Sequence, residues 1–129
     1  MNDTVVDASA ALVVIRREPG EDAVLGAIAD GTAFISTVNV AEVISSLIDR
    51  GMTQSDAVGA LATLELVVVP FTELHALAAA ALRPPTRALG LSLGDRACLA
   101  LGLGLNRRIL TADRAWAQLN LPVPIVLVR

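Results

Sequence analysis

The start of the chain constrains its fold more than any other stretch. Residues Thr4 to Val6 form a β-branched run, which favours a buried strand because branched side chains pack well on a pleated surface. Residues Ala8 to Ile15 lose the period of two and favour a helix. Asp7 lies between them, and in open α/β sheets ligands bind beyond the carboxyl ends of the strands. An N-cap for the helix explains Asp7 equally well, so its role depends on whether other acids converge on the same edge.

The rest of the chain alternates between strand and helix patterns. Because strands joined by helices form parallel sheets with helices on both faces, we expect an α/β fold in a single domain spanning residues 1–129. Strands are predicted at 33–35, 66–69 (fully buried), 108–110 and 125–127. Helices are predicted at 21–29, 37–50, 54–65 and 73–82, in the apolar run that follows Asp95, and around Trp116, with a stiff basic loop at 83–87.

One face of the predicted helix 37–50 has apolar residues at helical spacing. Glu42 lies off the centre of this face, beside Asn39, where a solvated acid would be ordinary. The expected core stripe comprises Val40, Val43, Ile44, Leu47 and Ile48.

The composition is strongly apolar for a chain that has no membrane-spanning run. Mean hydropathy is +0.64, yet Ala97 to Leu105, the longest apolar candidate, is far shorter than the roughly 18 residues that a span needs. The N-terminal stretch contains Asp3 and Asp7 and lacks the basic residues that begin a secretory signal. We therefore expect a cytoplasmic protein with no membrane partner. The excess apolar surface favours a subunit or partner interface. Cys98, the single cysteine, is expected to be buried and inert.

The charged residues exclude several classes of enzyme. All 10 basic residues are Arg, so a P-loop, a Schiff-base enzyme and a phosphoacceptor receiver domain each lack their Lys. His75 is the only histidine, which leaves no parts for a His-based metal site or a Ser-His-Asp triad. A haloacid-dehalogenase-type phosphatase would need an acid two residues after Asp7, where Ser9 stands.

Four acids are predicted to lie at or near one edge of the sheet. Asp7 and Asp113 follow strands, Asp95 begins a buried helix, and Glu42 lies within two turns of the start of another helix. Asp95 also stands in capping-box spacing with Ser92, so a structural role is a strong alternative. Crowded carboxylates raise one another's pKa unless a cation compensates. Oxygen ligands without His or Cys point to Mg²⁺ or Mn²⁺.

The motifs around these acids resemble those of a known family. The motifs are Val6-Asp7-Ala8-Ser9-Ala10, Asn39-Val40-Ala41-Glu42-Val43, Leu91-Ser92-Leu93-Gly94-Asp95 and Leu110-Thr111-Ala112-Asp113. In order, spacing and length they resemble the four acidic motifs of the PIN domain, and in particular those of the VapC-like toxins of bacterial toxin–antitoxin pairs. The resemblance covers nearly the whole chain, and four motifs in order are much more specific than one.

The resemblance implies a three-layer α/β/α fold and a Mg²⁺- or Mn²⁺-dependent endoribonuclease that cleaves RNA with metal-activated water. Asp7, Glu42, Asp95 and Asp113 would be the catalytic acids. Asp7 and Asp95 would bind the metal directly, and Asp113 either directly or through water, unless it only caps its helix. Ser9 and Thr111 match supporting hydroxyl positions, and Arg96 and Arg114, which follow two of the acids, could contact the substrate.

The same resemblance implies protein partners. We expect a homodimer and a cognate small antitoxin whose helix fills an apolar groove between helices 37–50 and 54–65. An Arg from its tail could pair with the acids. Two alternatives stay open from the residues alone, namely a metal-dependent DNA nuclease and a catalytically inactive PIN-like binding module.

Overall fold

A five-stranded, all-parallel sheet forms the centre of the molecule in a computed structural model that describes residues 2–129. The strands lie in the order β3-β2-β1-β4-β5, with β1 at Thr4–Val6, β2 at Ala33–Ser36, β3 at Val67–Val69, β4 at Arg108–Thr111 and β5 at Ile125–Leu127. The helices are α1 Ala8–Ile15, α2 Glu21–Ala29, α3 Thr37–Asp49, α4 Gln54–Ala62, α5 Glu73–Ala81, α6 Arg83–Thr86 and α7 Leu93–Leu105, with 3₁₀ turns at Arg87–Leu89 and Arg114–Gln118.

Helices cover both faces of the sheet, as the alternation of elements predicted. Val5 and Ile109 contribute to one buried cluster together with α5 and α7. Their neighbours Val6 and Leu110 contribute to the opposite cluster together with α1 to α4. Successive strand residues point to opposite faces, so each central strand is buried on both sides. The three-layer α/β/α architecture is therefore confirmed.

The strand order reverses between β1 and β4, and this point positions the functional edge. From β1 the chain adds β2 and β3 on one side, then returns to place β4 on the other side. Neighbouring crossovers that leave in opposite directions open a crevice at the carboxyl ends of the two strands. Asp7 follows β1 directly, and its backbone N–H donates to the carbonyl of Leu110 on β4 at 3.2 Å. Asp7 therefore lies at the crevice.

The segment 66–69 contains a strand, as predicted, but the prediction that this strand is buried was wrong. The strand is β3 at the edge of the sheet, where Val67 and Val68 are 45% and 50% exposed. A continuous apolar run predicts a strand that is covered on both faces. Strand order is a long-range property that the run itself does not encode, and here it left β3 incompletely covered.

Two local predictions were also wrong. The segment 83–87 is helical rather than a stiff loop, because Pro84 and Pro85 lie in the first turn of α6, where a missing N–H costs no helical hydrogen bond, and Arg87 begins the following 3₁₀ turn. Helix α4 ends at Ala62 and not at residue 65. Glu65 takes a left-handed backbone conformation with a φ of 54°, which is incompatible with continuing a helix.

The expected core stripe of α3 was only partly right. Val43 and Leu47 are buried, whereas Ile48 is 43% exposed. Val40 and Ile44 are half-buried. The fully buried polar residue on this helix is Asn39, which the sequence had placed on the polar side.

The prediction that Cys98 is buried was confirmed. Trp116 and Cys98 are fully buried in the cluster formed by α5 and α7. Within residues 2–129, no helix is both long and apolar enough to cross a membrane.

The close packing of α7 on the sheet yields a stability prediction. A Cβ at Gly102 would overlap the side chain of Ile109, which is fully buried on β4, whereas a Cβ at Gly104 in the same helix would meet nothing. Gly102→Ala should therefore destabilise the fold by about 1–3 kcal/mol through overpacking. Gly104→Ala, as the matched control, should be neutral or slightly stabilising because alanine favours helices. Chemical denaturation of both variants measures the difference, and equal stabilities would contradict the packing.

Candidate functional site

The carboxylate of Asp7 is the most buried acid at the crevice, with only 4% of the residue exposed. Its Oδ1 accepts hydrogen bonds from the Ser9 hydroxyl at 2.7 Å and from the Ala10 backbone N–H at 2.8 Å. Its Oδ2 accepts one from the Thr111 hydroxyl at 2.5 Å. Asp7 is thus the N-cap of α1 and also the acceptor of a contact from β4.

Ser9 and Thr111 join the ends of β1 and β4 into one hydrogen-bonded network. Their hydroxyl oxygens lie 3.3 Å apart, and both donate to Asp7. The Ser9 hydroxyl also accepts from the backbone N–H of Ala112 at 2.9 Å, and the Thr111 hydroxyl accepts from that of Asp113 at 3.0 Å. These two hydroxyls therefore orient both the Asp7 carboxylate and the backbone that leads to Asp113.

Glu42 reaches the same region from α3. Its Oε1 accepts a hydrogen bond from the side-chain amide of Asn39 at 2.7 Å. The same amide nitrogen donates to the backbone carbonyl of Gly94, at the start of α7, at 3.0 Å. Asn39 is 1% exposed, so this contact between α3 and α7 is buried.

Asp95 has a structural role alongside any chemical one. Its Oδ2 accepts from the Ser92 backbone N–H at 2.9 Å, and its own N–H donates to the Ser92 hydroxyl at 3.1 Å, which completes a capping box at the start of α7. The capping alternative raised from the sequence is therefore present. The box engages Oδ2 and leaves Oδ1 without a hydrogen-bond donor from residues 2–129.

Asp113 is the most peripheral of the four acids. It is exposed, and its Oδ1 caps the 3₁₀ turn at Arg114–Gln118 by accepting from the Ala115 N–H at 3.0 Å. Its backbone connects it to Thr111 and so to the Asp7 network.

The electrostatics connect three of the acids. Burial, opposed by the hydrogen bonds to Thr111, Ala10 and Ser9 and reinforced by the negative charge of Asp95, raises the pKa of Asp7 from 3.8 to about 6. Burial also raises the pKa of Glu42, again with a contribution from Asp95 and against the hydrogen bond from Asn39.

The thiol of Cys98 lies in the negative field of the same three acids. Burial raises the pKa of its thiol well above the ordinary value, and the charges of Asp7, Asp95 and Glu42 add to the effect in that order. The thiol therefore stays protonated and inert. The acids at 7, 42 and 95 are close enough together to act on one buried group.

No cationic side chain compensates these acids within residues 2–129. The ion pairs there join Arg107 to Asp3, Arg108 to Asp30 and Arg129 to Glu18, and none of them includes Asp7, Glu42, Asp95 or Asp113. The two arginines predicted to contact substrate each donate to a backbone carbonyl. Arg96 donates to Ala79 at 3.0 Å, and Arg114 to Arg129 at 3.3 Å.

The acidic side chains do not form a complete set of metal ligands. Among the residues from 2 to 129, no group of three or more His, Cys, Asp or Glu side chains is arranged to hold an ion. Free acceptor capacity nevertheless remains on three oxygens. Asp7 Oδ2 has a single donor, while Glu42 Oε2 and Asp95 Oδ1 have none from this part of the chain. A carboxylate oxygen can accept two hydrogen bonds or a metal.

Sequence reasoning did not identify two residues of this site, Asn39 and Gly94. Asn39 precedes Glu42 by three positions, and helical residues at that spacing are neighbours. That spacing was the available signal, but it does not distinguish a solvated amide from a buried one. Gly94 stands in the motif that ends at Asp95, but that motif does not reveal its contact with Glu42, which joins two helices distant in sequence.

Solved structures with this fold include several toxin–antitoxin complexes. The DNA-bound VapBC complex from Salmonella typhimurium matches with a TM-score of 0.76 at 12% identity, over 100% of both chains. VapBC2 from Rickettsia felis, bound to a promoter fragment, matches with a TM-score of 0.71 at 15% identity, over 96% of this chain and 97% of that one. VapBC-5 from Mycobacterium tuberculosis matches with a TM-score of 0.67 at 16% identity, over 98% of this chain and 99% of that one.

Sequence comparisons give a result at the level of the family. No curated protein sequence matches this chain. The model of the PIN domain family matches residues 4–121, which is most of the molecule and includes all four acids. The chain therefore belongs to the PIN domain family.

Proposed function

We propose that this chain is a divalent-metal-dependent endoribonuclease and the toxin of a toxin–antitoxin pair. The observation that carries the proposal is the Asp7 carboxylate, buried at the crevice between β1 and β4 with Glu42 and Asp95 nearby and no protein cation to balance them. Membership of the PIN family makes a nuclease the expected activity. The toxin–antitoxin complexes that share the fold support the biological role.

The donor set fits a hard divalent cation. The available atoms are carboxylate and hydroxyl oxygens, which Mg²⁺ and Mn²⁺ prefer over the nitrogen or sulfur that zinc would select. Asp7 and Asp95 would hold the ion, and Asp113, directly or through water, would add to them. Bound there, the ion would supply an activated water and would stabilise negative charge on a phosphoryl oxygen.

The protein's own residues would prepare the reaction. Ser9 and Thr111 hold the Asp7 carboxylate in one orientation through hydrogen bonds to both of its oxygens. Glu42 Oε2 is free to accept a hydrogen bond from an attacking water, and a carboxylate with a raised pKa is a better general base than an ordinary one.

RNA contacts would have to be local, because the net charge is −3. Arg114 is exposed directly after Asp113, so it could contact a phosphate at the edge of the crevice. Arg96 is half-buried and bonded to α5, which makes it the weaker candidate.

An apolar groove between α3 and α4 is the proposed site of the antitoxin helix. Its volume is about 330 Å³, and Ile44, Val58, Leu61 and Val68 are among the residues that line it, with Glu65 as its charged member. An amphipathic helix would bury its apolar face there. Because Glu42 lies on α3, a tail continuing from that helix could bring an Arg to the acids.

A second copy of the chain is proposed to cover the outer face of α5. Leu74 and Leu77 on this face are 77% and 63% exposed, and Ala78 and Ala81 follow at helical spacing. A twofold axis would place this stripe against its own copy and remove both from water.

The catalytic proposal predicts the behaviour of the acids. Asp7→Asn and Asp95→Asn should each abolish metal-dependent cleavage of RNA while the protein stays folded, Glu42→Gln should be severe, and Asp113→Asn milder. Cleavage of RNA and of DNA is measured with each purified variant, in Mn²⁺ and in chelator. Cleavage by Asp7→Asn at the wild-type rate would refute the metal site. Preference for DNA would favour the DNA nuclease, and no cleavage by the wild type would favour the binding module.

The raised pKa of Asp7 predicts a pH-dependent stability. Because the folded pKa of about 6 exceeds the ordinary 3.8, protonated Asp7 stabilises the fold at low pH, and this contribution is lost as the pH rises through about 6. The loss is about 3 kcal/mol at neutral pH. In chelator, Asp7→Asn should therefore melt above the wild type at pH 7 and lose that advantage below pH 4, whereas exposed Asp22→Asn should show no such trend.

Metal should reverse the order of the melting temperatures of the wild type and Asp7→Asn at neutral pH. Mn²⁺ at a hundredfold excess over Kd should stabilise the wild type by about 2.7 kcal/mol, because the ion binds the folded state. It should shift Asp7→Asn much less. If Asp7 is only a cap, Asp7→Asn should instead lose about 1 kcal/mol and metal should move neither protein. Thermal melts in chelator and in millimolar Mn²⁺ distinguish these outcomes.

The two partner surfaces predict opposite effects for a matched pair of variants. Val58→Asp in the groove should weaken binding of the small protein encoded beside this chain, while leaving the dimer intact. Leu74→Asp on α5 should dissociate the dimer and leave that binding intact. Co-purification and light scattering measure both properties. A wild type that is monomeric at high concentration, or variants with the same effect, would contradict the assignment.

A further inference from the structure

The side chain of Asn39 forms a buried connection between α3 and α7 that no catalytic role requires of it. One amide nitrogen donates to Glu42 Oε1 at 2.7 Å and to the Gly94 carbonyl at 3.0 Å. Both partners are acceptors, so chemistry determines which way round the amide lies. The reversed amide would set its oxygen against two other oxygens.

This orientation leaves the other end of the amide unsatisfied. Asn39 Oδ1 is buried and has no hydrogen-bond partner among residues 2–129. A buried amide is harder to accommodate than an apolar residue, because each of its polar atoms needs a partner. An apolar residue would avoid the cost, but it could not hold the Glu42 carboxylate.

Gly94 makes room for the same carboxylate. It is buried in the first turn of α7, and a Cβ at this position would overlap both carboxylate oxygens of Glu42. The backbone of Gly94 does not lie in the left-handed region, so other residues could adopt its conformation. A side chain at position 94 would therefore displace the Glu42 carboxylate from its place beside Asn39, and the backbone itself does not demand a glycine.

Two opposing electrostatic effects act on the Glu42 carboxylate. The first turn of a 13-residue helix carries a partial positive charge from its free N–H groups, which stabilises a carboxylate beside it. Asp95 lies in the same turn and repels Glu42. A carboxylate in such a balance needs a neutral donor to hold it in place, and Asn39 supplies that donor.

We infer that Asn39 and Gly94 are positioning residues that hold Glu42 against the start of α7 beside Asp95. Asn39 fixes the carboxylate by donation, and Gly94 admits it by having no side chain. The consequence for cleavage rests on the proposed function, because it requires that Glu42 act in the reaction. The contact itself does not depend on that activity.

A double-mutant cycle in thermal stability tests the contact. The four proteins are the wild type, Gly94→Ala, Glu42→Ala and the double variant, all in chelator. Gly94→Ala alone should lower Tm by a few °C, because the new methyl group would push the Glu42 carboxylate away from the Asn39 amide and the hydrogen bond between them would be lost. In the Glu42→Ala background the same change should leave Tm unchanged or raise it, because alanine favours the helix and the overlap is gone.

Gly104→Ala serves as the matched control, since it lies in the same helix with open space around its Cβ position. It should have the same small effect in both backgrounds. If Gly94→Ala does not fold at all, the double variant should recover folding. A Gly94→Ala effect that is equal in the two backgrounds, or a double variant that also fails to fold, would overturn the inference.

A second cycle tests Asn39 through cleavage of unstructured RNA in saturating Mn²⁺. Asn39→Ala should reduce the rate about 10- to 100-fold, as expected for a misplaced catalytic group. In the Glu42→Gln background it should cause no further loss, because residues that act through one group are not additive. A further loss of the same size there would show a merely structural role. If the wild type cleaves nothing, the proposed function fails, while the melting cycle still decides the contact.

Discussion

The hydrogen bond from Thr111 to the Asp7 carboxylate is the contact on which the rest of the site depends. It joins the ends of β1 and β4, the two strands that flank the reversal of strand order. Ser9 and the start of α1 complete the set of donors, so the first helix begins from the same carboxylate. The crevice, the cap of α1 and the orientation of the segment leading to Asp113 therefore share one group of atoms.

Magnitudes show which effect prevails at Asp7. Three hydrogen bonds to a charged group contribute roughly 1.5–3 kcal/mol each, and removing a carboxylate from water costs several kcal/mol after relaxation. The pKa of about 6 shows that burial still exceeds the donors, with help from Asp95. The folded chain thus holds a negative charge that its own residues do not balance.

Much of the fold could be predicted because each element carries a local signal. Strands 4–6 and 125–127 and helices 8–15 and 21–29 begin and end where the sequence pattern placed them. Other helices begin at side chains that cap them, such as Thr53 and Thr72. The errors arose where the outcome is set by distant contacts. The exposure of Val67 follows from strand order, and the burial of Asn39 follows from the approach of α7. The candidate acids could be found from their motifs, but the amide and the glycine that surround Glu42 could not.

The double use of the acids changes what their presence in a sequence can reveal. Asp95 and Asp113 cap a helix and a turn, so a chain that had lost its chemistry would still gain stability by keeping them, whereas Asp7 caps α1 but carries a net electrostatic cost at neutral pH. Glu42 lies inside α3, where it caps nothing, and its carboxylate occupies the space that a side chain at position 94 on the neighbouring helix would need. If catalysis were no longer required, Glu42 could be substituted before the capping acids, and position 94 could then accept a residue larger than glycine. Among related chains, the pair at 42 and 94 would therefore distinguish working nucleases from descendants that retain only the fold.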